Sequence, residues 1–303
     1  LLSVSGALFM VHGRRHHMET PQEITAFYFG KRSAPIVEGA LEIFLYAIFV
    51  IMIAGFGATF SEFYGFSPWV GRILVTILVF LTSILGLRKL IDVLGVLGPV
   101  LIAFTVFTGL YGALKGSNTL ESVDALLPTL DVFITPGGAL VSGVLYPCFN
   151  FLTVFYFLSN TGRAAEGEKE AFWGGIIGGI FLGLAILVLN LGFLRNLETV
   201  GGVEVPTLAL ASLFHPSFAF LYSALILIGI YGVSVPSLWS VTRHFGEDGS
   251  RRTILSSLAL SLLALLLSAT DFRTLVNIIY PYSGYVGVVL VVLLFYRGWK
   301  DSH

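Results

Sequence analysis

Long apolar runs separated by short polar stretches organise this chain. Eight of them cover Ile36 to Phe60, Val70 to Leu87, Leu90 to Leu114, Ala139 to Leu158, Ala171 to Leu194, Phe218 to Trp239, Ile254 to Ala269 and Leu275 to Tyr296. A helix needs about 20 mostly apolar residues to cross roughly 30 Å of hydrocarbon, and each run comes close to that length. The pattern predicts an all-α polytopic membrane protein, with residues 1–303 forming a single transmembrane helical domain. The opening Leu1 to His12 is equally apolar. At about 1.5 Å per residue it reaches only about 18 Å, so it is expected to be the second half of a span that begins upstream.

Lys and Arg fall asymmetrically between the connecting segments. Arg14, Arg15, Lys31, Arg32, Arg88, Lys89, Arg163, Lys169, Arg243, Arg251, Arg252, Arg297 and Lys300 lie on one side, which is thirteen of the seventeen; Arg72, Lys115, Arg195 and Arg273 lie on the other. Cytoplasmic loops hold the positive excess. Eight spans and one partial span alternate without conflict, which places the C-terminus in the cytoplasm and the chain in the cytoplasmic (inner) membrane. Trp69, Trp173, Trp239 and Trp299 lie near span ends, where interfacial anchors belong. Two long loops, Gly116 to Thr135 and Asn196 to Pro216, fall on the opposite side. Apolar positions such as Leu208, Leu210 and Leu213 suit a surface helix capping an entrance, and an ordinary connection fits equally well.

Composition adds exclusions. Apolar residues make up 56% and charged residues 12%, too little polar surface for a water-soluble globule. A net charge of -1 without basic runs removes nucleic acid as a partner. The lone Cys148 has no disulfide partner, and His16, His17, His215 and His244 show no zinc spacing. No Ser, His and Asp set can be placed together, so an enzyme is not expected. Gly174, Gly175, Gly178, Gly179 and Gly183 repeat a small-xxx-small pattern that signals close helix crossing.

Residues that carry chemistry sit inside the spans. ALVSGVLYPCFNFLTVFYFL, over Ala139 to Leu158, places Ser142, Gly143, Tyr146, Pro147 and Asn150 in an apolar helix. Pro147 has no N–H, so carbonyls near Gly143 leave the helical ladder. In lipid that is tolerated where the backbone lines a cavity, and an interrupted helix at mid-membrane points to a transporter's binding site. A simple proline kink, with Asn150 as interhelical glue worth about 1 kcal/mol, is the even alternative. Gly55 and Gly57 belong to a small-residue cluster that admits either another backbone or a solute, packing being favoured. Glu38 and Glu42 share one helix face. Glu38 is near Lys31 and Arg32 and is expected to pair there, which leaves Glu42 as the open candidate for a coupling carboxylate. In YGVSVPSLWS, Ser234 and Ser237 flank Pro236 and offer oxygens of the kind sodium prefers, although such hydroxyls more commonly satisfy their own kinked helix. The last span opens LVNIIYPYSGY, whose Tyr280, Pro281 and Tyr285 suit an interfacial anchor better than a gate.

EITAFYFGKRSAPIVEGALEIF, IMIAGFGATFSEFYGFSPWVG, LYPCFN and LVNIIYPYSGYVG, in this order and spacing, resemble the YkvI-type membrane proteins. These are similar to the amino acid, polyamine and organocation (APC) transporter superfamily. The resemblance implies a LeuT-like fold of five-plus-five inverted repeats that here lacks the first helix. It also implies substrate contacts from Ser142, Gly143, Tyr146 and Asn150, a close-approach wall from Gly55 and Gly57, and a sodium site at Ser234 and Ser237. The expected function is secondary transport by alternating access, with the bilayer and a small-molecule solute as partners. The solute is an amino acid or related organic compound, the coupling ion sodium or a proton, and no resident cofactor is needed. A non-transporting membrane sensor or scaffold is the alternative. Oligomeric state and the direction of transport are not written in the sequence.

Overall fold

A computed structural model describes residues 1–85, 88–130, 137–247 and 249–300, and at 85, 88–97 and 120 the backbone alone. Among these residues all regular structure is helical: α1 (Leu2–His16), α2 (Pro21–Phe29), α3 (Ala34–Tyr64), α4 (Pro68–Leu85), α5 (Arg88–Lys115), α6 (Leu120–Leu126), α7 (Gly138–Ala164), α8 (Glu168–Arg195), α9 (Leu197–Val200), α10 (Pro206–Ser212), α11 (Pro216–Thr242), α12 (Arg251–Leu267) and α13 (Phe272–Lys300). Each of the eight expected spans is a helix. Leu87, and residues 131–135 of the first long loop, lie outside the described residues.

Six segments among the described residues are long and apolar enough to cross a bilayer: Ala34–Tyr64, Gly98–Lys115, Gly138–Ala164, Glu168–Arg195, Pro216–Phe245 and Phe272–Lys300. α4 and α12 fall short of that standard, α12 having only 17 residues and several serines. The outward faces are apolar; on α8, Ile177, Phe181, Leu184 and Leu187 are all exposed. A continuous apolar surface of this kind suits lipid rather than water.

The chain divides into two compact units. The first comprises Leu1–Phe44, Ile134–Leu184 and Asn277–His303. Its core gathers Phe9, Tyr28, Phe151, Phe155, Leu290 and Leu294. Lipid tails are as apolar as these side chains, so close packing rather than the hydrophobic effect must hold such helices together. Glycine supplies the closeness. A Cβ at Gly13 would strike the Ser159 carbonyl, and one at Gly162 the Met10 carbonyl, where α1 meets α7. Gly175 and Gly179 of α8 likewise receive the backbone of Ala7 and Ser3, whereas Gly178 and Gly183 face open space. Arg15 pairs with Glu168 at 2.9 Å and Arg163 with Glu19 at 2.7 Å. The ends of α1 and α7 and the start of α8 therefore meet, as the charge alternation requires.

The second unit comprises Leu45–Phe133 and Ala185–Val276. Its core sets Phe49, Ile53 and Phe56 of α3 against Val75, Val79, Val235, Leu238 and Ala264. Tyr46 donates to the Leu260 carbonyl at 2.8 Å, which ties α3 to α12. Arg195 closes on the Gly116 carbonyl at 2.6 Å and Asn196 on the Gly112 carbonyl at 2.9 Å, which fastens the end of α8 to the end of α5. The second long loop contains α9 and α10, and the expected apolar positions Leu208 and Leu210 are buried while Leu213 is exposed.

Candidate functional site

α7 and α13 cross within the first unit. Gly284 meets Leu145, and Gly287 meets the Cys148 carbonyl so closely that neither glycine has room for a side chain. Beside this crossing lies a pocket of about 150 Å³ lined by Ser142, Leu145, Tyr146, Phe149, Tyr280 and Pro281. Phe149 and Tyr280 stack across it with ring centroids 4.2 Å apart and 22° between planes. Ser142 makes no hydrogen bond among the described residues, so its hydroxyl is available to a ligand. Two prolines bracket the space: Pro147 leaves the Gly143 carbonyl without its ladder donor, and Pro281 does the same for Asn277. Gly143 has open space where a Cβ would stand.

Two expectations for α7 need correcting. The helix is not interrupted; it runs continuously from Gly138 to Ala164 with Pro147 inside. One missing donor in a long helix is absorbed by the turns on either side. Asn150 does not line the pocket: its amide donates to the Tyr146 carbonyl of its own helix at 2.8 Å. Ser142 and Tyr146 do line it, and Gly143 stands beside them.

The other expected residues lie elsewhere. Gly55 and Gly57 belong to the second unit and are filled by protein rather than open to a solute. A Cβ on Gly55 would come within 2.9 Å of the Phe272 ring, and one on Gly57 within 2.6 Å of the Arg72 side chain and 2.7 Å of the Pro68 carbonyl. Ser234 and Ser237 are buried, and their hydroxyls donate to the Ile230 and Val233 carbonyls, each at 2.7 Å. Both hydroxyls are committed to their own helix and in this arrangement are not turned toward an ion. Glu42 is half-buried on α3 and does not line the α7 and α13 pocket. Among the described residues no ion pair joins Glu38 to Lys31 or Arg32.

Leu145, Phe149, Tyr280 and Pro281 complete the pocket; the first two were not expected there, and Tyr280 and Pro281 were expected as an interfacial anchor rather than as part of a site. The proline and tyrosines of LVNIIYPYSGY were the available signal: a second proline-bearing span implies a second helix with a freed carbonyl, just as LYPCFN does.

The second unit holds a larger cavity of about 510 Å³ whose lining includes Met52, Leu101, Thr105, Thr207, Tyr222 and Gly232. Thr105 and Tyr222 share a hydrogen bond of 2.8 Å. Pro236 frees the Gly232 carbonyl, so this otherwise apolar space has an acceptor on its wall.

Long apolar helices with lipid-suited faces and glycine-mediated crossings define a multi-pass membrane protein. Within that class the chain is similar to "Uncharacterized membrane protein YkvI" of Bacillus subtilis (strain 168), at 22% identity over 294 residues, which cover 96% of this chain and 82% of that protein. It is also similar to "Uncharacterized protein YyaD" of the same organism, at 23% identity over 262 residues, 86% of this chain and 74% of that one. These relatives support a YkvI-like membrane family. No family model matches the chain.

Proposed function

We propose that this protein is a secondary active transporter of the cytoplasmic membrane, with its C-terminus in the cytoplasm. It moves an amino acid or related small organic solute by cation-coupled symport and alternating access. The APC superfamily and its LeuT-like five-plus-five inverted repeat belong to this reading. The observation that carries it is the α7 and α13 pocket: two proline-bearing spans, an uncommitted Ser142 hydroxyl, and two tyrosines within an otherwise apolar bundle. Polar groups at such a position orient a ligand, while the apolar walls remove it from water. The coupling ion is sodium or a proton, with Glu42 as the coupling carboxylate. The chemistry is translocation, not catalysis.

The continuity of α7 favours one alternative, a membrane sensor or scaffold that keeps a transporter-like fold without transport. Reconstituted full-length protein separates the two. Uptake from an amino acid panel, driven by an imposed sodium or proton gradient, is expected of a transporter; no solute-dependent signal across the panel contradicts it.

A further inference from the structure

Between α3 and α13 the first unit opens a groove of about 710 Å³, with α7 behind it. Its floor is closed, because Leu41, Phe155 and Leu290 are buried. Its rim is open: Ile36 is 77% exposed, Val286 58% and Val289 53%, so the groove is continuous with the apolar outer surface that suits lipid. The α3 wall, from Ile36 to Phe44, extends about 12 Å at about 1.5 Å per residue, most of the ~15 Å that one leaflet contributes to the hydrocarbon core. No charged side chain lines it. Cations gather at one end instead. Phe29 of α2 and Ile36 of α3 both line the groove, and Lys31 and Arg32 occupy the short turn that joins them. Both are exposed, and neither makes an ion pair or a side-chain hydrogen bond among the described residues. Arg297 lies two turns beyond Leu290 on the same face of α13, held 5.3 Å over the Phe27 ring of α2.

We propose that this groove holds an acyl chain of an anionic phospholipid whose phosphate rests on Lys31 and Arg32. Charge complementarity selects that occupant. An apolar trough alone accepts any lipid tail, whereas cations at one end and hydrocarbon along the walls match an amphiphile with a negative head. The Arg32 guanidinium offers phosphate a planar fork of donors, and the Lys31 ammonium adds a point charge. The first turn of α3 contains no acidic residue, so the positive end of that helix adds the same sign. Glu38 and Glu42 lie further along α3 and are not part of the lining. The tail leaves one apolar environment for another, so packing holds it and the headgroup decides which lipid is preferred. This docking involves the first unit alone and does not depend on whether the chain moves a solute.

Lipid retention tests it. Full-length protein in detergent is mixed with equal amounts of phosphatidylglycerol and phosphatidylcholine of identical chains, and bound lipid is counted by native mass spectrometry. Wild type is expected to retain phosphatidylglycerol about fivefold or more over phosphatidylcholine, the scale of one Lys or Arg acting near an anionic surface. Lys31→Gln combined with Arg32→Gln is expected to remove most of that preference. Arg251→Gln combined with Arg252→Gln, a basic pair at the start of α12 in the second unit, is the control and should leave it in place. Ala40→Trp and, separately, Val289→Trp fill the groove from opposite walls and are expected to expel the lipid, with folding checked by circular dichroism. Equal retention of the two lipids by wild type overturns the proposal, as does a preference that survives loss of Lys31 and Arg32 or falls equally in the α12 pair. Retention unchanged in both tryptophan variants overturns it too. So does wild type that retains neither lipid, the result expected if a second copy or another segment of the chain fills the groove.

Discussion

Two proline-bearing helices, α7 in the first unit and α11 across the second, carry similar polar residues and use them differently. In α11, Ser234 and Ser237 spend their hydroxyls on the Ile230 and Val233 carbonyls one turn back, so both are committed to their own helix. In α7, Asn150 likewise bonds a carbonyl one turn back, while Ser142 and Tyr146 face the pocket. A polar residue in an apolar span thus signals a site only when its hydrogen-bonding capacity is not already used by its own backbone. Sequence spacing alone does not distinguish the cases, because a hydroxyl near a proline suits both.

The largest expected effect comes from closing the crossing that shapes the pocket. Gly287→Leu drives a side chain into the Cys148 backbone, which cannot yield as a flexible side chain can. A loss of about 2 kcal/mol or more is expected from such overpacking, read as a lower unfolding midpoint in detergent. Gly183→Leu, on the same unit but facing open space, is the matched control and should leave the midpoint nearly unchanged. Next in size is Gly143→Leu, which has room at the Cβ and adds bulk beside Ser142. It should leave folding intact and reduce uptake by about tenfold if a solute rests there, a loss equivalent to about 1.4 kcal/mol. Ser234→Ala with Ser237→Ala sharpens the contrast from the other side: each lost bond is expected to cost under about 1 kcal/mol of stability, with uptake within about twofold of wild type.

Helix placement was legible because twenty-residue apolar runs have few other fates, and all eight were recovered as helices. Gly175 and Gly179 were correctly read as crossing residues, but the same repeat also contains Gly178 and Gly183, which touch nothing. A repeat of small residues identifies a helix that can be approached closely without saying from which face. Gly55 and Gly57 show the same ambiguity, resolved here by Phe272 and Arg72. The contacts that hold segment 196–215 were not legible at all. Glu62, Glu204 and Phe272 are far apart in sequence, and each alone is an unremarkable residue at a helix end or in a loop.

Adjacent carboxylates provide the smallest and most selective contrast. Asp271 immediately precedes α13 and accepts from the Thr274 amide at 2.8 Å. Its hydrogen bonds to the Thr274 side chain and amide hold the carboxyl below the usual range. A lowered carboxyl contributes stability above its ordinary titration range and loses it as pH falls through the folded value. Glu204 has the opposite sign: burial raises its carboxyl, so the folded arrangement is favoured in acid and loses that contribution as pH rises. Asp271→Ala is therefore expected to cost about 0.5 kcal/mol near neutral pH, the low end for an exposed cap, and to lose that cost in acid. Unfolding midpoints across pH measure this.

Whether the pocket-facing hydroxyls of Ser142 and Tyr146 hold the solute is tested most directly by uptake into proteoliposomes containing the full-length protein, comparing wild type with Ser142→Ala combined with Tyr146→Phe. Circular dichroism first establishes that both are folded. The pocket assignment predicts a loss of about tenfold or more for the pair, the worth of one or two hydrogen bonds. Transport by the pair at the wild-type rate contradicts it.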